Sequence, residues 1–141
     1  MTDVLIVGNG NQPSHSVLEY FVAASPVIIA LDGAAMMLQK RQISPDVIIG
    51  DMDGLTSEQL DAFHSQGVQI VKDSTQDTSD ISKGLTWSQK QYPGEHIDVI
   101  GVDGGRLDHR LAAFSALFEC QSDAHIHIDE WLVVRVTTTP I

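Results

Sequence analysis

The feature of this sequence that most constrains its fold is a regular alternation between short, mainly apolar runs and longer segments of helix-forming composition. The apolar runs predict strands at residues 4–7, 27–31, 47–49, 68–71 and 97–100. Between and after them, helices are predicted at 17–24, 34–41, 57–65, 81–92 and 107–120. This alternation is typical of βαβ units, whose parallel sheet is covered by helices on both faces. The chain is therefore predicted to be an α/β protein.

The C-terminal part of the sequence departs from this pattern. Residues 125–129 and 131–136 indicate two strands with no helix between them. They either add an antiparallel edge to the sheet or begin a separate β element. We predict a three-layer, Rossmann-like, mainly parallel sheet in an α/β domain over residues 1–124. Residues 125–141 are predicted to be strands that start a β domain otherwise absent from the sequence.

Composition narrows the possible functions. The 141 residues are 43% hydrophobic, which suffices for one compact domain with a core. No apolar run approaches the roughly 18 residues of a membrane helix, and the N-terminus lacks the basic region of a secretory signal. A net charge of −11 disfavours nucleic acid as a partner. The single cysteine, Cys120, cannot form an internal disulfide, so we expect a cytoplasmic protein. The lack of a long apolar run predicts no membrane partner.

The acidic residues are mostly aspartates, with 14 Asp against 5 Glu. Aspartate is a poor helix and strand former and is favoured in turns and caps. Polar clusters follow the predicted strands at Asn9-Gly10-Asn11, Asp32-Gly33, Asp51-Met52-Asp53, 73–80 and 101–109. Ligands of open parallel sheets bind beyond the carboxyl ends of the strands. We therefore expect these clusters to meet in one ligand site.

The sharpest of these clusters is Gly50-Asp51-Met52-Asp53-Gly54. Two carboxylates two residues apart, beside flexible glycines, can bind one Mg²⁺ ion. A strand-ending turn with an aspartate helix cap explains the same residues without a metal. The motif alone does not decide between the two interpretations.

The segment before the fourth predicted helix offers further candidates, which are Gln76, Asp77, Asp80 and Lys83. Asp77 or Ser79 can cap this helix, and a cap without chemistry is the simpler explanation. Asp77 and Asp80 would nevertheless add carboxylates to the edge that carries the preceding motif. Lys83 lies one turn after Asp80, where it can pair with that carboxylate or contact a phosphate.

Residues 101–109, Gly-Val-Asp-Gly-Gly-Arg-Leu-Asp-His, form a glycine-rich segment that opens the last predicted helix. Backbone N–H groups at a helix N-terminus can bind phosphates, and the helix dipole favours the anion. The segment matches neither the P-loop nor the dinucleotide fingerprint. Arg106 can bind a phosphate, and Asp108 can cap the helix or join a metal site.

Five blocks of this sequence stand in the order found in thiamine pyrophosphokinases, and the chain resembles that family over residues 4–130. The blocks are Asn9-Gly10, Asp32-Gly33-Ala34-Ala35, Pro45-Asp46 with Ile49-Gly50-Asp51-Met52-Asp53, Gln76-Asp77-Thr78-Ser79-Asp80 with Lys83, and Gly104-Gly105-Arg106-Leu107-Asp108-His109. The family usually has Gly and Asn where this chain has Ala34 and Ala35, and Ser and Thr in place of Gly54 and Ser79. These differences spare the acidic positions.

The resemblance implies transfer of pyrophosphate from MgATP to the hydroxyl of thiamine, which gives thiamine diphosphate and AMP. It implies Mg²⁺ as the cofactor, held by Asp51, Asp53 and Asp80. The catalytic residues it implies are Asp51, Asp53, Asp77, Asp80, Lys83 and Asp108. The nucleotide-binding residues it implies are Asn9, Gly10, Asp32, Gly33, Gln76, Gly104, Gly105, Arg106 and His109.

Family members continue into a β-rich domain that contributes to a homodimer and to thiamine contacts, and this sequence ends where that domain would begin. Two hypotheses therefore stay open. The chain either transfers pyrophosphate to thiamine, or is a nucleotide-binding module or short relative with another acceptor, inactive on thiamine because the β domain is missing.

Histidines form the last candidate group. His125 and His127 share one face of a predicted strand, so they can bind a metal together. An exposed strand face explains them more simply. His15, His64 and His96 are predicted to be surface residues, because no carboxylate or cysteine spacing recruits them.

Overall fold

Seven strands form one sheet in the computed structural model, which describes residues 3–24, 26–75, 77–103, 107–128 and 130–136, with only the backbone at 107–109. In chain order its elements are β1 Val4–Val7, α1 His15–Val22, β2 Val27–Leu31, α2 Ala34–Lys40, β3 Val47–Gly50, α3 Ser57–Ser65, β4 Gln69–Lys72, α4 Asp80–Gln91, β5 Ile97–Ile100, α5 Leu107–Glu119, β6 His125–Ile128 and β7 Trp131–Val133.

The order of strands across the sheet is β4-β3-β2-β1-β5-β6-β7. Neighbouring strands from β4 to β6 pair in parallel, and β7 pairs antiparallel with β6. Of the two alternatives for the C-terminal strands, the antiparallel edge is present at β7. Both β6 and β7 belong to the same sheet as the preceding strands, while residues 137–141 lie outside the described part of the chain.

The core consists of two apolar layers, one on each face of the sheet. Because side chains alternate along a strand, Leu5 and Val7 face one layer and Ile6 faces the other. One layer is completed by Leu18, Leu38 and Phe63, among others, from α1, α2 and α3. The other is completed by Ile81, Leu85, Ala113, Ala116 and Leu117 from α4 and α5. The predicted three-layer α/β fold is confirmed.

Helix starts follow from capping residues near the predicted bounds. Helix α3 begins with a capping box, in which Thr56 Oγ1 accepts the N–H of Gln59 and the Gln59 side chain accepts the N–H of Thr56, at 3.1 and 2.8 Å. Helix α1 begins two residues before its predicted start, because Ser14 caps it by accepting the N–H of Val17.

Among the described residues, no helix combines the length and the apolar character needed to span a membrane.

Strand β4 differs from the prediction that every parallel strand is buried on both faces. It lies at the edge of the sheet and pairs with β3 alone. Its first and last residues, Gln69 and Lys72, are exposed and polar. A charged edge strand is a common protection against pairing with another chain.

Packing between α4 and the sheet gives a stability prediction. Leu85 of α4 is 0% exposed, whereas Leu111 of α5 is 53% exposed. We expect Leu85→Ala to lower the free energy of unfolding by about 2–5 kcal/mol, because it leaves a cavity in the core. The matched Leu111→Ala variant should change it by less than about 0.5 kcal/mol. Urea unfolding followed by circular dichroism measures both, and equal effects would contradict the assigned packing.

Candidate metal and nucleotide site

The strand order changes direction between β1 and β5. From β1, the chain adds β2, β3 and β4 on one side, and then returns to add β5 and β6 on the other. In open α/β sheets, ligands bind in the crevice beyond the carboxyl ends of the strands at such a switch point. Here residues 8–10 and 101–103 border that crevice.

The two crevice loops pack backbone against backbone. The N–H of Gly8 donates to Ile100 O, and the N–H of Gly10 donates to Gly101 O, each at 2.8 Å. A Cβ on Gly10 would lie 2.8 Å from Gly101 O, which is too close for any side chain. The predicted nucleotide-binding residue Gly10 is therefore required for this loop contact.

Residues predicted to bind the nucleotide lie together beside this contact. The Asn9 side chain packs against Gly33, where a Cβ would lie 3.1 Å from Asn9 Nδ2. A cavity of about 240 Å³ lies on the α4 and α5 side of the Asn9–Gly10 turn. Its apolar wall includes Leu31, Ile81 and Val102, and its polar rim includes Asn9, Ser79 and Asp80.

Asp32 is the buried acid of the site, with 6% of its surface exposed. Its Oδ1 accepts the N–H of Gly54 at 2.8 Å, and its backbone has a φ of +50°. Burial, a hydrogen bond with the Asp51 carboxyl, and the nearby charges of Asp51 and Asp80 raise the pKa of Asp32 to about 6, although the Gly54 N–H opposes the shift. A negative charge at Asp32 is thus unfavourable unless a cation lies nearby.

The loop after β3 brings Asp51 and Asp53 to this edge. Asp51 Oδ1 accepts the N–H of Asp53 at 3.0 Å, and the intervening Met52, with a φ of +69°, buries its side chain in the core. That N–H and the hydrogen bond with Asp32 lower the pKa of Asp51. Asp53 itself is exposed. The turn is anchored by Met52 and leaves two carboxylates near the crevice.

Helix α4 adds a carboxylate and a buried ammonium. Of the two predicted caps, the structure has Ser79, whose Oγ accepts the N–H of Ser82 at 3.2 Å. Lys83, with 4% of its side chain exposed, donates from Nζ to Asp73 O at 2.9 Å and lies 3.7 Å from Asp80 Oδ1. Burial raises the pKa of Asp80 and the Lys83 charge opposes that shift. The predicted pairing of Lys83 with Asp80 is confirmed.

The donor set fits a divalent oxygen-liganded cation. The charges of Asp51 and Asp53 both raise the pKa of Asp80. The charges of Asp51 and Asp80 both raise the pKa of Asp32. The four carboxyl groups therefore form one electrostatic group. Mg²⁺ prefers carboxylate oxygens and would relieve this repulsion. Lys83 already compensates part of the charge, because it also acts to lower the pKa of Asp51.

The remaining predicted site residues belong to two segments, 76–77 and 104–109. Asp77 is exposed in the loop before the cap of α4. Gln76, Gly104, Gly105 and Arg106 lie outside the described residues, as do the side chains of Asp108 and His109. Their roles stay predictions.

One charged pair beside the crevice was missed by the sequence analysis. Arg110 directs Nε and Nη2 to Asp103 Oδ1, at 2.8 and 2.7 Å. Asp103 belongs to the loop after β5 and Arg110 to the first turns of α5. The two are seven residues apart across a loop, so their spacing alone does not indicate contact. The sequence feature that could have indicated this pair is a basic residue near the start of a helix that follows a glycine-rich loop.

This fold is a mainly parallel α/β sheet with clustered carboxylates and a buried lysine at its carboxyl edge, beside a switch-point crevice. Residues 18–128 match the model of the thiamin pyrophosphokinase catalytic domain, and the chain belongs to that family. The predicted family resemblance is confirmed.

Individual relatives agree with this assignment. The chain is 34% identical over 85 residues to thiamine pyrophosphokinase 1 of Oryza sativa subsp. japonica. This alignment covers 56% of this chain and 32% of the rice protein. The chain is 26% identical over 92 residues to thiamine pyrophosphokinase of Bacillus subtilis, and this alignment covers 64% of this chain and 42% of that protein. The matches thus span less than half the length of both relatives.

Solved structures share the fold. The crystal structure of a thiamin pyrophosphokinase family protein from Enterococcus faecalis superposes with a TM-score of 0.75 at 22% identity. The superposition covers 89% of this chain and 61% of that one.

The unfavourable charge of Asp32 gives a test of the site's electrostatics. Without divalent cations at pH 7, we expect Asp32→Asn to raise the free energy of unfolding by roughly 1–2 kcal/mol, after allowance for solvent screening. Asparagine tolerates the positive φ and keeps an oxygen for the N–H of Gly54. The matched control is the exposed Asp61→Asn, and chemical denaturation measures both variants. A loss of stability in Asp32→Asn would contradict the assigned repulsion.

Proposed function

We propose that this chain binds MgATP at the carboxyl edge of its sheet and transfers the pyrophosphoryl group to the hydroxyl of thiamine, which gives thiamine diphosphate and AMP. The observation that carries the proposal is the cluster of Asp32, Asp51, Asp53 and Asp80 at the carboxyl edge of the sheet, with buried Lys83 beside Asp80. The relatives named thiamine pyrophosphokinase support the choice of reaction. The chain is then the catalytic part of a transferase.

In this proposal, Asp51, Asp53 and Asp80 hold Mg²⁺. The bound ion would neutralise phosphate charge and orient the phosphates, which is the main requirement of phosphoryl-type transfer. Lys83 supplies a fixed positive charge, because its Nζ is held between Asp73 O and the Asp80 carboxylate. A side chain fixed in this way needs little reorganisation as charge develops.

The nucleotide lies in the crevice between the β1 and β5 loops. Asn9, Gly10 and Gly33 line it on the β1 and β2 side, and Asp32 fixes the neighbouring loop through the N–H of Gly54. The family resemblance adds Gln76, Gly104, Gly105, Arg106 and His109 to the nucleotide contacts.

The reaction joins the hydroxyl oxygen of thiamine to the β-phosphorus of ATP. The bond from that phosphorus to the oxygen shared with the α-phosphate breaks, and AMP leaves with the bonding electrons. The hydroxyl proton passes to a base or to solvent. The resemblance assigns Asp77 and Asp108 to positions near the transferring group. Positioning and charge neutralisation then supply most of the rate enhancement.

A nucleotide-binding module, or a kinase with a different acceptor, is the second candidate function. It is favoured by how little of each relative the chain matches. The match with the rice protein covers 32% of that protein and says nothing about the other part of it. A homodimer, expected from the resemblance, and a reducing cytoplasmic location, expected from the lone Cys120, stay predictions.

Release of AMP tests the proposal. We expect thiamine-dependent AMP formation from MgATP, and a fall of roughly 100-fold or more in Asp51→Asn/Asp53→Asn, because preorganised charge at a transferring group is worth about that much. The change at Asp51 keeps a side-chain oxygen for the N–H of Asp53, and chemical denaturation of each variant distinguishes loss of activity from unfolding. Asp61→Asn/Asp123→Asn is the matched control, since both acids are exposed and lie outside the site.

The alternatives are distinguished in the same experiment. MgATP binding without AMP release, measured by calorimetry, would support the binding module. AMP release that needs no thiamine would indicate transfer of the pyrophosphoryl group to water. Full activity in the Asp51→Asn/Asp53→Asn variant would contradict the metal site.

A further inference from the structure

A second group of metal-ligating side chains lies at the opposite edge of the sheet, near the amino ends of β5 and β6. One potential ligand atom from each of His96, Asp98 and His125 lies within 4.8 Å of the other two. His127 is the next residue on the same strand face. Three of the six histidines in the sequence thus surround one carboxylate.

The fold fixes this arrangement through strand alternation and register. Ile126 and Ile128 are buried in the layer formed with α4 and α5, so His125 and His127 lie on the opposite face of β6. In the pairing of β5 with β6, Asp98 is directly opposite His125. The placing of Asp98, His125 and His127 therefore follows from the buried core and the strand register, and His96, directly before β5, joins them through its contact with Asp98.

The carboxylate of Asp98 is held between two imidazoles. Its Oδ1 accepts from His96 Nε2 at 3.0 Å and from His127 Nε2 at 2.8 Å. The rings of His96 and His125 are edge to face, with centroids 4.5 Å apart. The ring of His127 also packs against Phe21 of α1, with centroids 4.8 Å apart, which limits its rotation.

The cluster faces a cavity of about 460 Å³ between α1 and the first residues of β1, β5 and β6. All four members of the cluster line it, and its other walls include Asp3, Tyr20 and Phe21. The side chain of His96 is 41% exposed, that of Asp98 is 18% exposed, and His125 is half-buried. An ion can therefore reach the group from the solvent side of His96 and contact two half-buried ligands.

We propose that His96, Asp98 and His125 form a binding site for a borderline-soft divalent cation, with Zn²⁺ as the expected ion. Two imidazole nitrogens and one carboxylate oxygen are a common protein ligand set for zinc, and they leave a fourth position open to water or a small ligand. His127 is a positioning residue, because its hydrogen bond to Asp98 orients the carboxylate.

This site differs from the carboxyl-edge site in both place and chemistry. The carboxyl-edge ligands are all aspartates, which suit Mg²⁺, whereas imidazoles contribute little to Mg²⁺ binding. The proposal does not depend on the pyrophosphoryl transfer proposed above, so either can fail while the other holds.

Zinc titration of the whole chain tests the proposal. In excess Mg²⁺, which occupies the carboxyl edge, a chromophoric chelator competes for Zn²⁺, and we expect one ion per chain. His96→Gln/His125→Gln should weaken binding by more than about 100-fold, because even outer partners of a metal ligand are worth about 10–100-fold. His15→Gln/His64→Gln is the matched control and should bind as the unchanged chain does.

The role of His127 has its own measurement. His127→Phe keeps a ring against Phe21 and removes the hydrogen bond to Asp98, so we expect roughly 10–100-fold weaker binding. The visible absorption of bound Co²⁺ should remain, because the three ligands are unchanged. Thermal unfolding without metal checks that each variant folds. Undiminished zinc binding by His96→Gln/His125→Gln, or one ion shared by two chains, would overturn the proposal.

Discussion

Parallel strands place all their carboxyl ends along one edge of the sheet, and the rest of this structure depends on that constraint. The loops after β1, β2, β3 and β5 must share this edge, and each carries glycine or aspartate. The backbone contact between Gly10 and Gly101 closes the floor of the crevice. What distinguishes the site is therefore the chemistry of short loops, while helices and strands supply a rigid support.

The loops bring carboxylates closer together than their charges favour. Asp32 carries most of this cost, because it is buried, hydrogen-bonded to Asp51 and repelled by two neighbouring acids. Lys83 offsets part of it from within α4. A site that is unfavourable when empty of cations gains affinity for them, since binding removes the repulsion. The same feature that lowers stability here would then favour binding of a metal–nucleotide complex.

The fold was predictable because buried strands need apolar runs and helices need an apolar face, and both patterns are local. Strand β4 was predicted less well, since its edge position depends on the order of strands and not on its own residues. In the candidate site, the aspartates were predicted from motifs. The burial of Asp32 and the pair of Arg110 with Asp103 were not, because both depend on loop conformation. Asp98 likewise meets His125 only through strand register.

The position at which a divalent cation binds is the most direct test of the proposed carboxyl-edge metal site. Mn²⁺ replaces Mg²⁺ at oxygen ligands and broadens the NMR signals of nearby amides. With ATP present, we expect small amounts of Mn²⁺ to broaden the amide signals of Gly33 and Gly54 at the carboxyl edge. Gly67, which precedes β4 at the other edge, should stay sharp. Equal broadening at all three glycines, or unchanged broadening in Asp51→Asn/Asp53→Asn, would contradict it.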